Sequence, residues 1–353
     1  MCCVSDSSTS RRTSSTDAPT PSPKPAPAAG SQAGRGGHRP VTREAVTVIA
    51  TVWNEAAEID VLLDSLLRGS RIPDEIVIAD GGSTDDTYGR LSKRAAADSR
   101  IRALLAPGNR SVGRNAAVRA ACHAIIACTD AGVEVDPEWL EWLVRPFEND
   151  SGVDVVAGFY RPVGATPFER AAGVVSAPSL SEVDLARFLP STRSVAFRRA
   201  AFELVGGFDE SLSHNEDTPF ALALKREGRK FAFAPEAIVR WHPRGNLRAF
   251  MHQHRRFGTG DGESRVQGWF YATIAAKYAA GLALFAAGFW FMPAWLLLAL
   301  AVGIFVASQA RRGSGRIPPR EAIFLVPLLK VAYDLAYLWG YARGRMGPRR
   351  GLS

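Results

Sequence analysis

Hydrophobic positions change character three times along this chain. Val46 to Val52 reads Val-Thr-Val-Ile-Ala-Thr-Val, a short β-branched apolar run that predicts a buried strand. Ile59, Leu62, Leu63, Leu66 and Leu67 follow at the spacing of one helix face, with Gly69 as the stop. The unit then repeats. Ile76–Ala79 precedes a helix from about Asp85, Ile101–Leu105 one over Val112–Ala121, and Ala124–Cys128 one opened by Asp136-Pro137. In that last helix Trp139, Leu140, Leu143, Val144 and Phe147 share a face, and Val153–Ala157 supplies a further strand. Strict alternation with continuous apolar strands predicts an α/β fold whose mostly parallel sheet is covered on both faces. After Gly158 the alternation loosens into loops, a strand at Ser194–Phe197, a turn at Gly206–Glu210 and a helix from near Asp217.

The last quarter of the chain has a different pattern. No charged residue lies between Lys277 and Arg311, a stretch of roughly 33 residues, where one spanning helix needs about 20. Met292-Pro293 near its middle offers a reversal, which predicts a tight helical hairpin over about 275–310 within a membrane region of 270–345, a single tilted helix being the rival. A third apolar segment, about 322–341, holds Lys330 and Asp334, spaced to pair on one helix face. Arg311, Arg312, Arg316 and Arg320 flank it on one side, Arg343, Arg345, Arg349 and Arg350 on the other. Positive residues stay cytoplasmic. A hairpin followed by an interfacial or re-entrant third segment keeps both clusters and the main domain inside, whereas three full spans export one cluster. The expectation is a multi-pass protein of the cytoplasmic (inner) membrane, its folded domain of 44–262 facing the cytoplasm.

Residues 1–43 are nearly all Ser, Thr, Pro, Ala, Gly and Arg and predict a disordered tail. The tail lacks the apolar core of a signal peptide. At 353 residues, 46% hydrophobic and +8 in formal charge, the chain is too long and too apolar to be collagenous or wholly disordered. Four cysteines, Cys2, Cys3, Cys122 and Cys128, are too few for a secreted disulfide scaffold, and the last two are expected to be buried.

Trp53-Asn54-Glu55, Asp80-Gly81-Gly82-Ser83 and Thr129-Asp130-Ala131-Gly132 each follow a strand directly. Ligands of such sheets bind beyond the carboxyl ends of the strands, so three acid-bearing strand ends predict one site. Singly, each segment is also readable as a turn or a helix cap, as is Glu216-Asp217. Neither the dinucleotide glycine fingerprint nor a Gly-x-x-x-x-Gly-Lys-Ser/Thr phosphate loop occurs, which counts against nicotinamide chemistry and nucleoside triphosphate hydrolysis. His242, His252 and His254 show no metalloprotease spacing.

In order, these segments resemble the family 2 glycosyltransferases of GT-A fold, from about Ala45 to Gly262. Val46–Glu55 is similar to the family's strand ending in a Tyr-Asn-Glu-like loop. Glu75–Asp85 is similar to its Asp-Asp-Gly-Ser-Thr-Asp segment, and Gly113-Arg114-Asn115 to its Arg-Asn helix start. Thr129-Asp130-Ala131-Gly132 stands where the Asp-x-Asp metal motif does, and Gly206-Gly207-Phe208 with Asn215-Glu216-Asp217 matches its Gly-Gly-Phe and Glu-Asp elements. Gln253-His254-Arg255-Arg256-Phe257 resembles the Gln-x-x-Arg-Trp element of processive synthases, and reads equally as a basic amphipathic helix against lipid headgroups.

The resemblance implies an inverting transfer of a sugar from a nucleotide-diphospho-sugar to a lipid-linked or cell-envelope glycan. Asp217 and Glu216 are then the catalytic acids, Asp217 taking the acceptor proton. Asn54, Glu55, Asp80, Gly82, Ser83, Arg114, Asn115 and Asp130 bind donor, and Gly206, Gly207, Gln253 and Arg256 face the acceptor. A divalent cation, Mg²⁺ or Mn²⁺, is expected on Asp130 and His242, with Glu134 as a substitute for the second acid that Gly132 lacks. Membrane lipid is an expected partner and nucleic acid is not. Two other readings stay open: a catalytically silent nucleotide-sugar-binding subunit of a polysaccharide assembly, suggested by Gly132, and a polyprenyl-phosphate glycosyltransferase.

Overall fold

The computed structural model describes residues 43–347 of the chain. The tail expected over 1–43 lies outside the described residues but for Arg43, as do Arg349 and Arg350. Four βα units come first: β1 (Val46–Val52) with α1 (Ile59–Leu67), β2 (Glu75–Asp80) with α2 (Thr87–Ala97), β3 (Ile101–Leu105) with α3 (Arg110–Ala120), and β4 (Ile125–Cys128) leading through a short β5 (Val133–Val135) to α4 (Trp139–Asn149). Then follow β6 (Val155–Pro162), α5 (Pro167–Ser176), β7 (Val195–Arg198), α6 (Arg199–Leu204), α7 (Asp217–Arg226), β8 (Phe231–Trp241) and α8 (Leu247–Ser264).

The strands form one sheet in the order β3-β2-β1-β4-β7-β6-β8-β5. β3, β2, β1 and β4 are parallel, β7 enters reversed between β4 and β6, β8 runs parallel to β6 and β5 closes the edge antiparallel to β8. Alternate residues of β1 face opposite cores: Val48 and Ala50 pack with Leu62, Leu63 and Phe147, while Ile49 packs with Ala117, Val118 and Phe197. Burial on both faces is why β1 reads as an unbroken apolar run. The register sets Val52 beside Asp80 and Ile49 beside Cys128, which brings the loops after β1, β2 and β4 to one edge. Cys128 is buried as expected. Cys122 is not; it is exposed before β4, where its amide donates to Glu75 Oε2 at 2.7 Å.

Three helices long and apolar enough to cross a membrane follow: α9 (Gly268–Ala287), α10 (Pro293–Gly313) and α11 (Pro319–Met346). Pro293 opens α10 at its first position, where a missing N–H costs nothing, and the reversal between α9 and α10 exposes Phe289, Trp290, Phe291 and Met292. Helix α11 has two faces. Phe324, Leu328, Leu335, Trp339 and Met346 are exposed at intervals of four and seven, a single stripe. Opposite it, Val326 and Leu329 pack with Val174 of α5 and Phe250 of α8, and Arg170 clamps Glu321 (Nε to Oε2, 3.0 Å). Toward its other end, backbone meets backbone: a Cβ on Gly340 would lie 2.0 Å from the Arg255 carbonyl and one on Gly344 2.2 Å from that of Thr259. Both ends of α11 therefore rest on the α/β domain. Asp334, fully buried, receives Lys330 (2.6 Å), as its spacing predicts, and also Lys277 (2.6 Å) and the Tyr278 hydroxyl (3.1 Å) from α9.

Candidate active site

Two connected spaces open at the carboxyl edge of the sheet. The outer is a cleft of about 600 Å³ lined by Glu55, Asp130, Arg193, His242, Gln253 and Arg256 among others; the inner is a chamber of about 190 Å³ lined by Asp217, Tyr160, Thr192 and Tyr337, and Asp130 borders both.

Arg114 organises the junction. It is 1% exposed on the buried face of α3, donates to Asp130 Oδ1 at 2.9 Å and is paired to Glu216. Burial opposes its charge, but Glu216 and then Cys128 and Asp130 outweigh burial and raise its pKa. Asp130 lies two residues beyond β4, with 32% of its side chain exposed, and Arg193 Nε stands 3.8 Å from its Oδ2. Burial would raise the Asp130 pKa, yet Arg114, Arg193 and Arg110 together hold it below the ordinary value. Arg193 is itself fixed over the rings of Trp241 (5.1 Å) and Tyr160 (5.5 Å).

Glu216 and Asp217 differ sharply. Glu216 is buried and held as a carboxylate by Arg114 against the pull of burial. Asp217, half-buried in the chamber wall, accepts the Thr192 amide at 3.4 Å, and burial followed by the charge of Glu216 pushes its pKa up. Asn215 before them is left-handed (φ 60°) and tied to Asp261 Oδ1 of α8 at 2.5 Å; Asp261 also accepts the Tyr271 hydroxyl of α9 at 2.5 Å.

The other expected residues divide. Asp80 is fully buried, accepts the amides of Gly82 (2.8 Å) and Ser83 (2.7 Å) on Oδ1, and leaves Oδ2 without a partner. Asn54, left-handed at φ 56°, ties the β1 and β2 loops through the Thr84 amide (2.8 Å) and the Ser83 hydroxyl (2.9 Å). Asn115 does not reach the cleft: its amide grips Phe208 from both sides, at 2.8 and 2.9 Å. Gly206 and Gly207 form the adjoining turn at φ 77° and 80°, and neither lines the cleft. Among the described residues no three His, Cys, Asp or Glu side chains converge as metal ligands. Asp130 faces arginines, and His242 lines the cleft while its Nδ1 contacts the Val163 carbonyl at 3.1 Å. The Val163 carbonyl takes the Nδ1 proton and leaves His242 Nε2 as the nitrogen open to the cleft, but with Asp130 engaged by arginines the described residues do not complete a set of three protein ligands for a cation. Sequence reading passes over Arg110, Arg193, His214 and Asp261, which sit in loops or on helices with no strand-end or motif signal.

Residues 47–202 match the Glycosyl transferase family 2 model and residues 125–331 the Glycosyl transferase family group 2 model. The succinoglycan biosynthesis protein ExoA of Rhizobium meliloti is 28% identical over 235 residues, 62% of this chain and 70% of ExoA. The glycosyltransferase EpsJ of Bacillus subtilis is 28% identical over 204 residues, 55% of this chain and 59% of EpsJ. In structure the chain is similar to the mannosyltransferase PcManGT of Pyrobaculum calidifontis in complex with GDP-Man and Mn²⁺, with a TM-score of 0.61, 20% identity, and 85% of this chain and 88% of that one covered. With its strand-end acids, its buried Arg114–Glu216 pair and these matches, the chain belongs to the family 2 glycosyltransferases, built on the GT-A fold.

Proposed function

We propose that this enzyme moves a sugar from a nucleotide-diphospho-sugar, with inversion, to a lipid-linked acceptor in the assembly of an envelope polysaccharide, on the cytoplasmic face of the membrane. The observation that carries the chemistry is Asp217, a half-buried carboxyl with a raised pKa in a chamber joined to the donor cleft through Asp130. The acceptor hydroxyl gives its proton to Asp217 as its oxygen attacks the anomeric carbon; the bond from that carbon to the diphosphate breaks, and the electron pair leaves on the diphosphate. Glu216 positions Arg114, and Asp80 is read as the acceptor of a nucleoside group on its unpartnered Oδ2, reached only by movement of the loop after β2, because the carboxyl is fully buried and lines neither space. Asn115, Gly206 and Gly207 act by shaping the Phe208 turn.

The GDP-Man of the Pyrobaculum neighbour and the succinoglycan role in ExoA's name support a nucleotide-sugar donor and a polysaccharide product. The neighbour's Mn²⁺ supports an expectation of a cation, but its protein ligands are not assembled here. Nucleotide sugars are made in the cytosol, which sets the face. For the acceptor, a groove of about 1140 Å³ lined by Leu247, Met251, Leu335 and Trp339, with Arg248 and Arg255 on its walls, shares Ala249 and His252 with the cleft. An isoprenoid tail suits that apolar lining, and a phosphate its arginines.

The test uses membranes carrying the full chain, a panel of UDP-, GDP- and dTDP-sugars and a lipid-linked acceptor extract. Asp217→Asn is expected to lower turnover by about 10²–10⁴-fold while nucleotide binding persists. Unchanged turnover in that variant sinks the assignment of the base.

A further inference from the structure

Resting on the reading of the cleft as a nucleotide-diphospho-sugar site, we infer that the chain neutralises the donor diphosphate with its own guanidinium groups, Arg110, Arg193, Arg244 and Arg256, in the place of a protein-held divalent cation.

These four arginines come from separate parts of the chain, the start of α3, the segment before β7, the loop after β8 and the middle of α8, and line one cleft. Among the described residues, Arg110, Arg244 and Arg256 have no carboxylate within ion-pair distance. Arg110 and Arg244 act at longer range on Glu55, and Arg110 on Asp130 and Glu216; they also act on Arg256, whose pKa is lowered by burial, then by Arg110 and Arg244. Arg256 Nε donates to His214 Nε2, and burial followed by Arg256 and Arg110 brings that imidazole down to about 4, so at neutral pH it accepts and adds no charge. Four arginines face Asp130, Glu55 and Glu58 in this cleft, and only Arg193 has one of these carboxylates within ion-pair distance; positive charge held this way is relieved by a bound polyanion. Guanidinium forks also match phosphate oxygens two at a time, and Arg193, clamped over two rings, is already oriented.

The cation side is correspondingly thin. Arg114 takes Asp130 Oδ1 and Arg193 faces Oδ2, so a metal would have to displace guanidinium groups from its one strand-end carboxylate. Glu55 and Glu58, from the loop after β1, line the cleft without converging with Asp130 into a ligand group. Gly132 removes the second acid, yet room for one exists. A Cβ on Gly132 meets nothing within 4 Å, and its backbone lies outside the left-handed region. The cleft lacks that side chain, not the space for it.

The experiment is calorimetric titration of the full chain in nanodiscs, stripped with EDTA, with UDP, GDP and dTDP, before and after excess Mn²⁺. At least one nucleotide is expected to bind with an affinity that Mn²⁺ alters by less than about threefold, and Arg193→Ala and Arg256→Ala to weaken it about tenfold or more. Arg244→Ala, at an exposed position, reads the same loss should Arg193→Ala disturb Trp241. Gly132→Asp, which has room to fold, is expected to acquire a bound Mn²⁺ signal by electron paramagnetic resonance that the unaltered protein lacks. Nucleotide binding that vanishes in EDTA and returns with Mn²⁺ in the unaltered protein overturns the inference and leaves the donor reading standing. No binding of any nucleotide in either condition overturns the donor reading and the inference with it.

Discussion

Glu216 and Asp217 are adjacent in sequence and opposite in circumstance. One is locked to Arg114 and the other carries the electrostatic cost of that neighbour as a raised pKa. A general base works deprotonated, so on the proposed assignment of Asp217 activity is expected to rise with pH through its pKa, with the acid limb of kcat/KM above the ordinary aspartate range. Glu216→Gln removes the charge that raises Asp217 and frees Arg114 to lower it. Both changes have the same sign, so the limb moves to lower pH, which a pH–rate profile checks; a limb that stays put denies the coupling. At this scale the sequence was legible wherever a strand end fixed a residue's place, as at Asp80 and Asp130. It did not foretell that the Asn115 amide binds the backbone of Phe208 or that Gly207 sits in the turn before it, both away from the cleft lining. It was silent at Arg193, whose place depends on Trp241 and Tyr160, residues far from it in the chain.

Among the elements, α8 and α11 depend on each other most closely. Gly258 and Gly262 of α8 approach the Tyr337 and Tyr341 carbonyls, as Gly340 and Gly344 of α11 approach α8, the small-residue contact by which helices close on one another. Gly→Ala within a helix ordinarily stabilises by about 0.5–1 kcal/mol. Gly340→Ala and Gly344→Ala are expected instead to destabilise by about 1–3 kcal/mol, because backbone must move to admit a methyl group. Gly303→Ala in α10, where a Cβ meets nothing within 4 Å, keeps or raises the melting midpoint and serves as the control. Thermal melts in detergent compare the three, and a rise for Gly340→Ala would contradict the packing. Strands β1, β2 and β4 were legible because they are buried on both faces, and β3, a half-exposed edge strand, from its place between two helical patterns. β5 is only three residues long, and β8 carries Pro235, Glu236 and Arg240 among its apolar positions, so neither offers a pattern to read.

For the whole molecule the question is how it meets a bilayer. All three C-terminal helices suit a span by length and composition, but α11 touches the α/β domain near both ends, through Glu321 and through Gly344. Helices α9 and α10, each about 30 Å long, also begin and end at the domain: Tyr271 holds Asp261 and Arg312 reaches Glu182 at 3.0 Å. A crossing hairpin with α11 lying in the interface, its stripe of Phe324, Leu328, Leu335 and Trp339 in lipid, accommodates all of these contacts. A fluorescent protein fused to the C-terminus is then expected to fluoresce and alkaline phosphatase fused there to be inactive; the reverse result makes α11 a third span. The uncharged stretch and its basic flanks are features of the sequence itself, but the clamp of α11 on α5 and α8 was not legible there, since it rests on contacts between distant segments.

Tyr337, on that same helix, is a wall of the chamber that holds Asp217, and Tyr271 steadies the loop before it through Asp261 and Asn215. Trimming this chain to a water-soluble fragment would therefore open the chamber proposed as its active site: what looks in sequence like a detachable tether is masonry, and solubility cannot be engineered here without rebuilding one wall of that chamber.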